Sequence, residues 1–252
     1  MLGVPFILFY RLVLRSWLRG VVSRRDGRSS ALQSDAAAVP SYLPHVRQLL
    51  CAILLVVGLA FVLQALNGAC RAFAPWMFDS VRAAQESATA GSSMSEGTSF
   101  AVTVASVVSG CVIAPVFEEL WFRGAWLVGL ARACVPFAIA NVVQAVVFGL
   151  FHFSAYRAMS AFILGVLLGL LVKRAHSVVP GMVAHALHNL ISGLPIVPQA
   201  LYSLGFYRAA DALANIPYGA GLDGYTAGLL FAFGVAGLLL VALAIWRTRP
   251  AA

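Results

Sequence analysis

Seven polar side chains in an otherwise apolar chain have the types and spacing to do chemistry. Glu118 and Glu119 are adjacent carboxylates, and Arg123 follows them in Pro115-Val-Phe-Glu-Glu-Leu-Trp-Phe-Arg-Gly124. His152 closes a later apolar run, and His185, His188 and Asn189 lie together in another. An ionisable group at membrane depth costs roughly 2.5–3.5 kcal/mol on insertion scales, so each calls for a partner or a function. On a helix, Glu119 and Arg123 are four apart and pair. Glu118 points about 100° away and has no local partner. A structural ion pair locking two helices is a sufficient reading of Glu119 and Arg123, but it does not account for Glu118.

A carboxylate beside a neutral imidazole can hold and deprotonate a water. A second imidazole, with a side-chain amide four residues on, can donate hydrogen bonds to a developing oxyanion. His185 and Asn189 have that spacing on one helix face, and His188 borders it. Together these are the parts for hydrolysing an amide. No serine sits in a G-x-S-x-G elbow, and no cysteine has a histidine partner on the same face, which disfavours a protein nucleophile. Alternatively, Glu118, His152 and His185 bind Zn²⁺ in a His₂Glu set with an open fourth position. The helical H-E-x-x-H spacing is absent, so such ligands converge from separate helices. Metal-bound and metal-free water both remain open at this point.

The elements that must position these groups are membrane helices. The 252 residues are 61% hydrophobic and 10% charged, with mean hydropathy +0.90, against about 25% charged in soluble domains. The composition predicts an all-α, polytopic membrane helical bundle in a lipid bilayer. The net charge of +8 is almost all arginine and falls in clusters, which fits membrane orientation and excludes a nucleic-acid partner. Cys51, Cys70, Cys111 and Cys134 form no CxxC pair and read as small hydrophobes. The apolar start, Met1 to Tyr10, precedes its charges and lacks a small-residue cleavage site, so no removed signal peptide is expected.

Residues 1–45 read as a basic arm and linker. Arg11, Arg15 and Arg19 share one face of an interfacial amphipathic helix, and residues 26–41 link it to the bundle. Residues 46–98 hold a first span, 46–66, and a polar loop with a short helix near 75–85. Residues 99–195 form the catalytic membrane core. Its spans run from 99 to 130, with a kink expected at Pro115, then 134–153, 158–172 and 178–196. Residues 196–252 supply a loop and a last span, 225–246. That makes about six transmembrane helices plus the N-terminal interfacial helix. With six spans, the N-terminal arginines, Arg132, Lys173-Arg174 and Arg247/Arg249 share one side, and Arg157 is one exception. The positive-inside rule then puts both termini in the cytoplasm, and the short arginine-rich chain is read as a bacterial inner-membrane protein.

These residues resemble the CPBP family of intramembrane proteases, which holds CAAX prenyl endopeptidases and bacteriocin-processing or abortive-infection-like immunity proteins. Its E-E-x-x-x-R motif is matched by Glu118-Glu119-Leu-Trp-Phe-Arg123, its F-x-x-x-H by Phe148 to His152, and its H-x-x-x-N/D by His185 to Asn189. The resemblance spans roughly residues 99–192. It implies that Glu118 and His152 activate water, that His185 and Asn189 stabilise the oxyanion, and that Glu119 with Arg123 fixes helix geometry. His188 falls outside the pattern. The implied activity is a metallo- or glutamate-dependent endopeptidase acting on a membrane-anchored lipidated or leader-type peptide or protein, with Zn as the conceivable cofactor. The competing readings are a non-enzymatic bacteriocin-immunity or scaffold protein and a proton-coupled transporter. The absence of an inverted repeat counts against the transporter.

Overall fold

The computed structural model describes residues 46–79, 83, 87, 96–193, 196–215 and 224–248. The expected N-terminal arm, 1–45, lies outside the described residues. Among the described residues there are helices and turns and no strand, the all-α membrane bundle that composition predicts. In chain order α1 is Val46–Phe73, followed by a 3₁₀ turn at Pro75–Phe78. A long continuous helix comes next, in five pieces. They are α2 (Glu96–Val108), a π segment (Ser109–Ile113), α3 (Ala114–Glu119), a second π segment (Leu120–Leu127) and α4 (Val128–Arg132). Then come α5 (Phe137–Leu150), α6 (Ala155–Ala175), α7 (Val179–Gly193), α8 (Ile196–Ser203), α9 (Tyr207–Asn215) and α10 (Gly224–Arg247).

Four stretches are long and apolar enough to cross a membrane: Val46–Cys70, Phe100–Ala131, Ala155–Ala175 and Gly224–Arg247. The other two expected spans are the shorter helices α5 and α7, with 14 and 15 residues. At 1.5 Å per residue they reach about 21 and 22 Å, against a hydrocarbon core of about 30 Å. These two carry, or lead into, all the candidate histidines.

Three boundaries differ from the sequence expectation. First, α1 runs on to Phe73 instead of ending near 66. Asn67, read as the start of a polar loop, is buried, and its amide donates to the Tyr156 hydroxyl at 3.0 Å. Second, the segment read as a loop after 196 folds as α8 and α9. Third, Pro115 does not simply break its helix, because π winding on both sides carries the chain through.

Apolar residues at helical spacing form the core. Ala52, Val56, Leu59 and Leu63 of α1 meet Ala161, Leu164, Leu168 and Leu171 of α6, with Phe122, Phe148 and Ala184 between them. The tightest helix pair is α1 with α10, where Gly58 faces Gly237. A Cβ on Gly237 would lie 2.5 Å from the Gly58 carbonyl oxygen, and one on Gly58 would lie 2.8 Å from that of Gly237. Membrane helices associate through such close backbone approach, since lipid removes the hydrophobic drive. Gly237→Val is therefore expected to cost about 1–3 kcal/mol by overpacking. It should appear as a lower thermal midpoint in detergent with unchanged activity per folded molecule.

Lys173, Arg174 and Arg247 lie at one end of the bundle, while Arg157, in the first turn of α6, and Arg208, 4.2 Å from the ring centre of Tyr225 at the start of α10, lie at the other. Arg174 donates to the Ile245 carbonyl near the end of α10, Lys173 lies 4.2 Å from the Phe137 ring centre, and Gln48 donates to the Ala175 carbonyl at 3.1 Å. Lys173 and Arg174 occupy the last turn of α6, where cations complement the helix dipole.

Candidate active site

Glu119 is the centre of the buried polar cluster. Its Oε1 accepts from Arg123 Nη1 at 2.7 Å, and both side chains are fully buried. The same oxygen accepts from His185 Nδ1 at 2.9 Å. The i,i+4 spacing on one helix makes the first bond, while the second crosses from the long helix to α7. Arg123 Nη2 also donates to the Gly165 carbonyl of α6 at 3.2 Å, so Arg123 and Glu119 together tie three helices. Gly181 makes room for the other carboxylate oxygen, since a Cβ there would lie 3.1 Å from Glu119 Oε2.

Glu118 is held differently. Its side chain keeps 34% of its exposure, where that of Glu119 keeps none. Glu118 Oε2 lies 3.6 Å from His185 Nε2. His185 thus stands between the two carboxylates, with one ring nitrogen on each. Because Glu119 accepts from Nδ1–H, the Nε2 atom faces Glu118 and the open side of the site.

His152 follows the end of α5, in a turn before α6. Its Nδ1 lies 2.9 Å from the Phe148 carbonyl oxygen. A carbonyl can only accept, so Nδ1 carries the proton and Nε2 carries the lone pair. Phe148 is fully buried and packs edge-on against His152 at 5.0 Å and His185 at 5.6 Å. The Arg123 guanidinium carbon sits 4.7 Å from the same ring centre. One phenyl ring therefore spaces both imidazoles and the arginine.

Asn189 is half-buried. Its Nδ2 donates to the Gly110 carbonyl at 2.8 Å, which leaves one amide N–H for another acceptor. His188 is buried and turned toward Ser192, whose Oγ lies 3.4 Å from Nε2. The site therefore brings Arg123, His152 and His185 around Phe148 and Glu118 and Glu119 to His185, with Asn189 one turn beyond His185 on α7.

The sequence reading missed Asn141 and Gln144. Gln144 Nε2 donates to Asn141 Oδ1 at 2.9 Å and to the Gly165 carbonyl at 3.0 Å, and Asn141 Nδ2 donates to the Val166 carbonyl at 3.0 Å. They extend the Arg123 network into the α5–α6 contact. The signal was present as two amides three apart in an apolar run, but their partners are backbone carbonyls that no side-chain pattern reveals.

The zinc alternative can be tested on the donors. His152 and His185 each have one ring nitrogen engaged, as metal-binding histidines do. Yet among the described residues no group of three His, Cys, Asp or Glu side chains converges closely enough to hold a metal ion. Glu118, His152 and His185 do not form a ready-made ligand set.

An all-α bundle with apolar helices long enough to span a bilayer, and a polar cluster buried among them, defines an integral membrane protein. Residues 100–191 match the family model described as Rce1-like, the type II CAAX prenyl endopeptidases. That match covers less than half of the chain, and over it the membrane core is similar to the CAAX-type intramembrane endopeptidases. No curated protein and no solved structure matches the chain significantly.

Proposed function

We propose that the chain is an intramembrane endopeptidase that cleaves a membrane-anchored peptide, lipidated or leader-type, by direct attack of an activated water. The observation that carries this reading is the asymmetric pair of carboxylates around His185. Glu119 is fully buried and holds Nδ1, while Glu118 is partly exposed and lies 3.6 Å from Nε2. A buried carboxylate bonded to Arg123 and His185, and a partly exposed one, on adjacent residues, divide the structural and chemical tasks.

In this reading Glu118 takes a proton from water as the oxygen attacks the scissile carbonyl, and His152 Nε2 accepts a second hydrogen bond from the same water. The carbonyl oxygen gains charge and is met by N–H donors from His185 Nε2 and Asn189 Nδ2. For Nε2 to donate while Nδ1–H is on Glu119, the ring carries both protons, and the Glu119 carboxylate supports that imidazolium as a triad aspartate does. Glu118 then passes its proton to the leaving amine. The length of α5, about 21 Å against a hydrocarbon core of about 30 Å, favours a turn at His152 inside the bilayer, within reach of water. Non-helical backbone at that depth is tolerated against protein or beside a water-filled cavity. Lys173, Arg174 and Arg247 at one end, against Arg157 and Arg208 at the other, favour cytoplasmic termini, as in a bacterial inner membrane.

The test uses the full chain in proteoliposomes and internally quenched peptides anchored by a farnesyl cysteine or by an apolar leader. The expected result is cleavage of an anchored peptide over its free counterpart, at a rate unchanged by a chelator. Loss on chelation with recovery on Zn²⁺ would overturn the metal-free water. Failure to cleave any anchored peptide would instead favour a scaffold or immunity protein.

A further inference from the structure

Proline removes a backbone donor and crowds the carbonyl four residues before it. At Pro115 the missing N–H is the one that would reach Cys111 in an α-helix or Gly110 in a π-helix. Just before it, Ser109–Ile113 is wound as π-helix, and Ala114 N–H donates to the Ser109 carbonyl, five residues back. The Gly110 carbonyl is thereby deprived of both helical donors. Ala114 has passed it by, and Pro115 has no N–H to give. In an apolar medium such a carbonyl must find a partner, and the partner comes from α7, as Asn189 Nδ2 at 2.8 Å.

We propose that Pro115 is a positioning residue for the reaction, withholding a backbone donor so that the Gly110 carbonyl clamps the Asn189 amide. The proposal deepens the oxyanion role given to Asn189 above and rests on it. A primary amide has two N–H groups in one plane. One bond to Gly110 fixes which end is nitrogen and the plane in which the second N–H lies. The π register and the base are also linked through the chain, because Pro115 is three residues before Glu118. The helix that carries the base therefore sets the orientation of the oxyanion donor on a different helix. π segments recur at functional sites, and here the consequence is a free acceptor at a defined place.

The test is a cycle of Pro115→Ala, Asn189→Ala and the double variant, read by thermal midpoint in detergent and by kcat and KM on the quenched farnesylated peptide. Alanine restores the N–H and is the best helix former, so Pro115→Ala should melt no lower than the parent. Its kcat should fall on the order of tenfold with KM unchanged, short of the roughly 10²–10³ expected for removing an oxyanion donor outright. Asn189→Ala should lower the midpoint in the parent, and by less than half as much beside Ala at 115, where the backbone supplies Gly110 itself. Pro115→Ser restores the same donor with a different side chain and should give the same pattern. Equal midpoint losses in both backgrounds would overturn the clamp. Full kcat in Pro115→Ala beside an inactive Asn189→Ala would overturn the positioning role alone, while full kcat in Asn189→Ala would remove the oxyanion reading and the proposal with it.

Discussion

Glu118→Gln should reduce peptide cleavage by about 10³-fold or more, within reach of the 10²–10⁴ that positioned general bases contribute together with the water they orient. The same variant should insert and melt like the parent. Both halves follow from how Glu118 is held. Glutamine keeps the shape and one acceptor oxygen but cannot take a proton from water. The structural bonds of the cluster run through Glu119, which stays in place, so Arg123 Nη1 and His185 Nδ1 keep their acceptor. The closest contact altered is the 3.6 Å approach to His185 Nε2, on a side chain that is one-third exposed and so loosely constrained. The measurement is the initial rate on the anchored peptide at saturating substrate, with a thermal melt of the same sample. A rate within tenfold of the parent would remove Glu118 from the chemistry. A collapsed melt would mean that it belongs to the scaffold with Glu119.

The three short motifs made most of this site legible. Glu118, Glu119, Arg123, His152, His185 and Asn189 stand out because charge and polarity are expensive in an apolar run, and their helical spacing shows which of them share a face. What the spacing cannot show is which partner lies across the bundle. Glu119 reads as the partner of Arg123, four residues away, yet it also anchors His185, 66 residues away. Asn67 looks like a loop residue until Tyr156, 89 residues on, satisfies it. Gln144 and Asn141 end on backbone carbonyls, which exist at every position and so leave no trace in the sequence. Pro115 does announce a disturbance. Whether the helix answers with a kink or with π winding depends on the neighbour that rescues the freed carbonyl, and that neighbour is α7. Segment 196–215 misled for a related reason: its helices are short and polar on one side, so composition alone does not separate them from a loop.

The largest effect on stability is expected at Arg123. Arg123→Met leaves the fully buried Glu119 carboxylate without its guanidinium partner, and breaking such a pair typically costs about 3–5 kcal/mol. The Gly165 carbonyl loses the Arg123 donor as well, although Gln144 Nε2 still reaches it. The methionine fills the apolar volume against Phe148, so the loss is chiefly electrostatic. That predicts a partial rescue: with Glu119→Gln added, no unpaired charge remains and a substantial part of the midpoint should return. Activity should not return with it. A glutamine offers His185 Nδ1 a neutral acceptor in place of a carboxylate, and so no longer supports the doubly protonated ring that donates from Nε2. Arg123→Lys should sit between the two, because a single ammonium cannot reproduce the planar fork that meets Glu119 and Gly165 together. Melts and rates on the three variants separate the roles. Recovery of both stability and turnover in the double variant would show that the ion pair serves packing alone. Recovery of stability without turnover is the result expected if the pair exists to hold His185.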